Sequence, residues 1–238
     1  MTAAVSETDA LLARIHETGY WLVTIRPTTF APRRIPTLRD CERIIENASV
    51  RLRGWDYPHV DRDGYVRGDD WIQSGSDYGN HVELWRFYQS GQFIHHLSMR
   101  HDRTPADPFA TARSGGTLRQ EPPQLDFVDV LYSLTEVLAF ARGLAHRDVL
   151  TPAGELRVEL HGTAGRLLLG PPGRLMDSYC QAQIDPIVWS ESQLAAVLIA
   201  EAPRLALEAT VHVLERFNWS EPPRAVLEAE QRRFLDRR

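Results

Sequence analysis

The stretch HVELWRFYQSGQFIHHLSM, residues 81–99, decides the fold class of this chain. It contains two runs of apolar and aromatic residues, typical of strands, joined by Ser90-Gly91. Glycine supplies the positive φ that a two-residue hairpin turn requires. With this turn, Trp85 is expected to face His96 across an antiparallel pair. Because both faces carry large apolar groups, we expect an inner hairpin with further elements packed on each side.

The segments around this hairpin alternate between the two periodicities. Apolar spacing predicts strands at 20–27 and 178–185, the latter ended by Asp185-Pro186, and a second hairpin over 155–172 that turns at 162–165. It also predicts a helix over 7–18, helices capped by Thr37, Asp126 and Ser190, and a last helix from about Pro222. Pro203 is expected to kink or split the helix that Ser190 begins.

Tight turns between neighbouring strands imply antiparallel pairing. The sequence therefore predicts an α+β fold, with a mostly antiparallel sheet of about five or six strands built from hairpins and with helices packed on it. Residues 1–238 are expected to form a single domain, with an internal linker at 102–124, which is rich in proline and glycine, and a C-terminal helical segment at 190–238.

Composition excludes several classes of function. All 27 basic residues are arginine, so the chain has no lysine for a Schiff base or for the phosphate loop of an NTPase. This bias is typical of a GC-rich coding sequence and suggests a bacterial-type protein. The formal charge of −5 disfavours nucleic acid and anionic membrane as partners. The start of the chain lacks the pattern of a signal peptide, and no apolar run is long enough for a membrane span. We therefore expect a cytoplasmic location.

The two cysteines do not suggest a metal or disulfide site. Cys41 and Cys180 are far apart, form no CxxC motif and lie in segments with apolar patterning. The expected state of both is a buried thiol.

The best candidate for a functional site is the stretch RLRGWDYPHVDRDG, residues 51–64. It combines two large aromatic residues with groups that can hydrogen-bond, bind a metal or transfer a proton. These residues are Trp55, Asp56, Tyr57, His59, Asp61 and Asp63. One interpretation is that Trp55 and Tyr57 close the end of the core while Asp56 fixes the loop. The other is that Asp56 orients His59 for catalysis or ligand binding.

Other motifs fail at the residues that their chemistry needs. The sequence LLLGPPGRLMDS at 167–178 lacks the GK[ST] of a phosphate loop. A calcium loop counted from Asp61 would need glycine and glutamate where Val66 and Ile72 stand. His95 and His96 point to opposite faces of a strand, so they are not expected to share a metal. The sequence contains no GxSxG elbow. Accordingly, we expect no metal and no cofactor.

Three hypotheses of function follow. The first is a non-catalytic domain that binds a small molecule or a protein partner, with ligand contacts from Trp55, Tyr57, Trp85, Arg86 and His96. The second is a hydrolase that uses Asp56, His59 and either Asp61 or Asp63 as acid–base groups or with a metal. The third is an accessory nucleic-acid-binding protein that uses Arg33, Arg34 and the terminal arginines. The thin apolar face of the last helix could also support a homo-oligomer.

Overall fold

The computed structural model describes residues 2–61, 64–103, 122–170 and 180–236, with side chains from residue 7 onward. Within these ranges the helices are α1 (Thr2–His16), α2 (Leu38–Ala48), α3 (Arg100–Arg103), α4 (Phe127–Ala145), α5 (Ala195–Arg216) and α6 (Arg224–Leu235). The strands are β1 (Tyr20–Pro27), β2 (Val66–Arg67), β3 (Trp71–Tyr78), β4 (His81–Tyr88), β5 (Phe93–Ser98), β6 (Gln124–Asp126), β7 (Ala153–His161), β8 (Leu167–Leu169) and β9 (Ile187–Leu194).

Seven strands form one antiparallel sheet in the order β2-β3-β4-β5-β1-β7-β9, and β6 pairs with β8 in parallel. The predicted α+β class with a mostly antiparallel sheet is confirmed. The sheet has more strands than expected because β2 and β3, which lie before the hairpin, extend it on one side.

The hairpin of β4 and β5 is confirmed, but its predicted register is wrong. Gly91 N–H donates to Tyr88 O, and Tyr88 N–H donates to Gln92 O, both at 2.9 Å. The loop therefore has three residues, 89–91, of the kind in which the last residue adopts a left-handed conformation. Trp85 consequently pairs with His95 instead of His96. A shift of one residue moves every β5 side chain to the face opposite to the expected one.

The two faces of the sheet carry very unequal apolar cores. On the inner face, Trp85, Phe87 and Phe93 belong to one large cluster that also includes buried residues of α2, α4, α5 and α6. The centroid of the Phe140 ring of α4 lies 4.7 Å from that of Phe93. On the outer face, Ile15 of α1 forms a small separate cluster with strand residues. Most of the buried apolar side chains therefore pack against the inner face of the sheet.

Several local predictions are confirmed. Strand β1 covers the predicted residues 20–27. Thr37 caps α2 by accepting a hydrogen bond from Asp40 N at 3.1 Å. Asp126 caps α4 by accepting one from Val128 N at 2.8 Å. Cys41 and Cys180 are both buried and are not joined in a disulfide.

The second predicted hairpin is wrong. Strand β7 pairs with β1 and β9, whereas β8 pairs with β6. The register between β7 and β9 extends over eight residue pairs, from Ala153–Leu194 to Leu160–Ile187. Strand β9 therefore occupies the edge of β7 along which the three-residue β8 would have paired in the predicted hairpin.

The predicted start of the C-terminal helical segment at residue 190 is also wrong. Strand β9 begins just after Asp185-Pro186 and runs to Leu194, so helix α5 starts at Ala195. Ile187 and Trp189 are buried on the inner face, which favours the strand over a helix capped by Ser190. Pro203 does not split helix α5. The helix continues through this residue and has buried side chains both before and after it in the chain.

Residues 104–121 of the predicted linker lie outside the described residues, as do residues 171–178 of the phosphate-loop-like stretch. Among the helices that the structure describes, none has the length and apolar character that a membrane span requires.

The turn at Gly91 gives a first test of the packing around the hairpin. Its φ is +85°, and an added Cβ would lie 3.0 to 3.2 Å from Val149, Pro27 and Arg34 side chains. We expect Gly91→Ala to lower the free energy of unfolding by about 1 to 2 kcal/mol or more, from backbone strain and crowding. Denaturant unfolding measures the change. Gly79→Ala is the control, since Gly79 has φ +60° and nothing within 4 Å of an added Cβ. An equal loss in both variants would show that crowding at the turn is unimportant.

Candidate functional site

The loop between α2 and β2 is fixed by a pair of backbone hydrogen bonds. Val50 N–H donates to Tyr57 O at 3.0 Å, and Tyr57 N–H donates to Val50 O at 2.8 Å. The Tyr57 side chain is buried, Trp55 and His59 are half-buried, and Asp56 is exposed. The loop thus directs one aromatic ring into the protein and leaves another at its surface.

The acid–base candidates from the sequence have different surroundings. The His59 ring centroid lies 6.1 Å from that of Trp55 and 6.5 Å from that of His81. Asp61 is half-buried, and its N–H donates to Ser74 Oγ at 3.1 Å. Asp63 lies outside the described residues. His59 therefore has aromatic and imidazole neighbours, whereas Asp56 presents its carboxylate to solvent.

The centre of the polar arrangement behind this loop is Glu83 of β4, which is 1% exposed. One carboxylate oxygen accepts from His95 Nε2 at 2.8 Å, and the other accepts from His59 N at 3.1 Å. His81 Nε2 lies 3.2 Å from that second oxygen, without the direction of a good hydrogen bond. Two imidazoles and one backbone amide therefore surround a single buried carboxylate.

A second imidazole contact extends the arrangement to the loop. His95 is 0% exposed, and its Nδ1 lies 3.1 Å from Tyr57 Oη. If His95 Nε2 carries the proton that Glu83 accepts, its Nδ1 is the acceptor for the Tyr57 hydroxyl. Trp85 Nε1 donates to His59 O at 2.6 Å. The side-chain polar groups of Tyr57, Trp85 and His95 are thus each satisfied by another group within the protein. We call Tyr57, His81, Glu83 and His95 the Glu83 network.

The pKa values of Glu83 and Tyr57 both lie far from neutral pH. Burial opposes ionisation of Glu83, but contacts with His81 and His95 outweigh it and lower its pKa to about 2. Burial and the nearby carboxylates of Glu83 and Glu136 raise the pKa of Tyr57 well above its usual value. Near pH 7, Glu83 therefore remains an anion and Tyr57 a neutral phenol. Neither group is poised to exchange a proton with a substrate.

A buried ion pair lies beside the Glu83 network. Arg53 donates to Glu136 Oε2 through Nε at 2.9 Å and Nη2 at 2.6 Å, and Nη2 also donates to Ser133 Oγ at 2.9 Å. Arg53 Nη1 lies 3.5 Å from Asp129 Oδ1. The Arg53 and Glu136 side chains are 10% and 4% exposed. This pair fastens the loop to α4 across 83 residues of sequence.

The outer rim of this region carries charge and aromatic surface. The Arg100 guanidinium lies 5.5 Å from the centre of the Trp55 ring. Burial and the nearby Arg53 lower the pKa of Arg100. His101 Nδ1 lies 3.2 Å from Asp129 Oδ2, and this contact raises the pKa of His101. We call Trp55, His59, Arg100 and His101 the Trp55 rim.

The cleft beside the rim is almost filled. It is lined by Arg53, Ser98, Arg100, Asp129 and Ser133 together with apolar side chains, and its free volume is about 10 Å³. That volume has room for about one water molecule. A larger ligand would have to bind at the rim or displace side chains.

Two imidazole nitrogens under Trp55 have neither a hydrogen bond nor an ion-pair contact within the part of the protein that the structure describes. Nδ1 of His59 and Nδ1 of His81 are buried and make no hydrogen bond with the protein. The His81 ring centroid lies 4.2 Å from that of Trp55, so the indole lies against this imidazole. A buried polar atom without a partner costs about 1 to 3 kcal/mol, and such atoms in native proteins call for an explanation.

The structure does not bring the five proposed ligand contacts onto one surface. Trp55, Tyr57 and Trp85 belong to the inner side, where Trp85 is 0% exposed. Arg86 lies on the outer face, where it donates to Gln73 Oε1 and stacks 4.1 Å from the centre of the Trp71 ring. His96 also lies on the outer face, against His16. Of these residues, Trp55 alone belongs to the rim.

Sequence reasoning missed Glu83 as the centre of the network and missed the pair of Arg53 and Glu136. One signal was present in β4, because His81 and Glu83 share the strand face of Trp85 and Phe87. Polar groups in an apolar face indicate a buried network or a site. No comparable signal in the sequence links Arg53 to Glu136, because the two residues lie in different segments and share no helix or strand periodicity.

Among the described residues, no three His, Cys, Asp or Glu side chains are placed to hold one metal ion. Comparisons with protein-family models, with curated proteins and with solved structures give no match for this chain.

Proposed function

We propose that this protein is a non-catalytic domain that binds a small polar molecule, or a side chain of a protein partner, at the Trp55 rim. The observation that carries the proposal is the pair of unpartnered imidazole nitrogens of His59 and His81 beside Trp55. An aromatic surface next to buried groups that still need hydrogen bonds is typical of a binding site. The Arg100 guanidinium adds a charged contact at the same place.

The Glu83 network supports the non-catalytic part of the proposal. A general base needs a pKa near the working pH and a geometry that reaches the substrate. Glu83 is fully enclosed and remains ionised, and Tyr57 is buried with a raised pKa. These groups stabilise the loop that presents Trp55.

The two alternatives have less support. For the hydrolase, Asp56 is exposed, while the His59 ring lies near Trp55 and His81. For the nucleic-acid binder, Arg34 already donates to the backbone carbonyls of Thr29 and Thr151. Arg237 and Arg238 lie outside the described residues. The cytoplasmic location, the bacterial-type origin and a homo-oligomer stay predictions from the sequence.

A thermal-shift screen against metal ions, nucleotides and common metabolites tests the proposed site. We expect a ligand that raises the melting temperature of the wild type to lose its effect in both Trp55→Ala and His59→Ala, because both variants remove rim contacts. Trp71→Ala is the matched control, since Trp71 is also a half-buried indole beside an arginine but lies on the outer face.

The ligand effect should survive in Trp71→Ala. A ligand whose effect persists in both rim variants would place the site elsewhere. Turnover of any screened compound, abolished by Asp56→Asn, would support the hydrolase instead.

A further inference from the structure

A second group of histidines lies on the outer face of the sheet, at the end of α1. His16 is the last residue of α1, and its Nε2 lies 3.2 Å from Nδ1 of His96 in β5. The Tyr20 ring stacks on His16 with 4.2 Å between centroids and on His161 of β7 with 4.5 Å. We call His16, Tyr20, His96 and His161 the histidine cluster. It joins α1 to three strands.

The contact between His16 and His96 requires a neutral acceptor. Two facing ring nitrogens share one proton, so one ring donates and the other accepts. If both rings were fully protonated, two donors would meet at this distance and two positive charges would repel. Acidification therefore weakens the contact between His16 and His96, which holds the C-terminal end of α1 against the sheet.

The acidic groups near the cluster contact residues other than His16 and His96. Glu159 Oε2 lies 3.6 Å from His161 Nε2, on the far side of Tyr20. Asp185 accepts hydrogen bonds from Gly162 N and Thr163 N. Among the described side chains, no carboxylate forms an ion pair with His16 or His96.

The described side chains attach the rest of α1 through few contacts. Ile15 is fully buried against Val82 and Leu84, and Leu11 and Leu12 pack beside them. Among the described side chains, the polar contacts of α1 are a bond from Gln73 Nε2 to Thr8 Oγ1 at 3.0 Å, an exposed ion pair of Arg14 with Asp77 at 2.8 Å, and a bond from the Arg103 guanidinium to Arg14 O. None of these contacts involves an imidazole, the side chain that usually changes charge near neutral pH.

We propose that protonation of the histidine cluster releases α1 from the outer face of the sheet, so that the helix is docked at neutral pH and detached in mild acid. Release would uncover the apolar surface of Val82 and Leu84. The pH dependence would come from His16 and His96, with His161 adding a third positive charge nearby.

The pKa values of His16 and His96 give the direction in which pH changes the docking of α1. Partial burial and nearby His161 lower the pKa of His16 from its usual value of 6.5. Burial, with His16, His95 and His161 nearby, lowers the pKa of His96 to about 4. The detached form therefore binds more protons than the docked form between these two values. Docking is at full strength above about pH 6.5 and weakens by up to about tenfold per pH unit, for each proton taken up, as the pH falls toward about 4.

Hydrogen exchange followed by mass spectrometry tests this latch. We expect the protection factors of amides in α1, corrected for the intrinsic effect of pH, to fall at least about tenfold between about pH 7 and about pH 5. Amides of α4 should stay protected, which separates release of α1 from global unfolding. In the double variant His16→Gln, His96→Gln, the decrease should be nearly absent. His146→Gln, which alters an exposed histidine after α4, should behave as the wild type.

If the double variant already releases α1 at neutral pH, His161→Gln provides a second test. It keeps the contact of His16 with His96 and removes one neighbouring charge, so it should show a weaker pH dependence than the wild type. Constant protection of α1 in the wild type would overturn the proposal, as would a full pH dependence in the double variant or an unchanged one in His161→Gln.

Discussion

Replacing Glu83 with glutamine should lower the free energy of unfolding by about 3 to 5 kcal/mol, the usual cost of breaking a buried charged network. The amide nitrogen of glutamine would place a donor where one carboxylate oxygen now accepts from His95 Nε2 or His59 N. Denaturant unfolding near pH 7 measures this loss. The loop carrying Trp55 should lose hydrogen-exchange protection first, because its Tyr57 and His59 are held by the same network.

The matched control for this substitution is Glu42→Gln. Glu42 pairs with the exposed Arg67 at 2.6 Å, so its replacement should cost less than about 1 kcal/mol. Similar losses in the two variants would contradict a special role for Glu83.

The effect of Glu83 should also depend on pH in a defined direction. Its pKa is about 2 in the folded protein, against a usual value of 4.5. The unfolded chain therefore binds the proton first as the pH falls. The stabilisation is fully present above about pH 4.5 and is lost as the pH falls toward about 2. The difference between the wild type and Glu83→Gln should shrink over that window.

The second large effect is expected at Arg166, which is 2% exposed. Its guanidinium donates to both oxygens of Asp102, at 2.7 and 2.6 Å, and to the carbonyls of Gly162 and Gln124 at 2.9 and 2.8 Å. Asp102 also accepts from Gly19 N at 2.8 Å. We expect Arg166→Met to cost about 3 to 5 kcal/mol in the free energy of unfolding, because it leaves a largely buried carboxylate without its cation.

Two further variants separate charge from geometry at Arg166. Arg166→Lys should remain strongly destabilised, because one ammonium cannot reproduce the bidentate contact and both carbonyl bonds. The double variant Arg166→Met, Asp102→Asn should lose less than the sum of the single losses. The exposed Arg204, paired with Glu201 and Glu208, is the surface control, and Arg204→Met should cost much less stability than Arg166→Met. Additive losses would mean that Arg166 and Asp102 act independently.

The parts of the fold that follow from local patterns could be predicted from the sequence. Strand β1 and helices α2 and α4 have clear periodicity, and Thr37 and Asp126 are good caps. The α+β class follows from the hairpin of β4 and β5. These features depend on residues close together in the chain.

The register of that hairpin depends on one residue of loop length, which the sequence does not fix. The same Ser90-Gly91 pair suits a two-residue or a three-residue loop, and the choice decides whether His95 or His96 lies beside Trp85. The candidate loop was found because aromatic and titratable residues are concentrated there. The partners of that loop could not be predicted, because Arg53 contacts Glu136, and Tyr57 contacts His95, only after distant segments of the chain fold together.

The protonation of Glu83 is the property that best distinguishes a closed structural network from an active site. Carbon NMR of glutamates labelled at the carboxyl group, with the Glu83 signal assigned from its loss in Glu83→Gln, can follow that group from about pH 7.5 to about pH 3. We expect the Glu83 signal to stay at the position of a carboxylate over most of this range. A midpoint between about pH 5 and about pH 8 would show a carboxyl group poised for proton transfer, and would contradict a purely structural role.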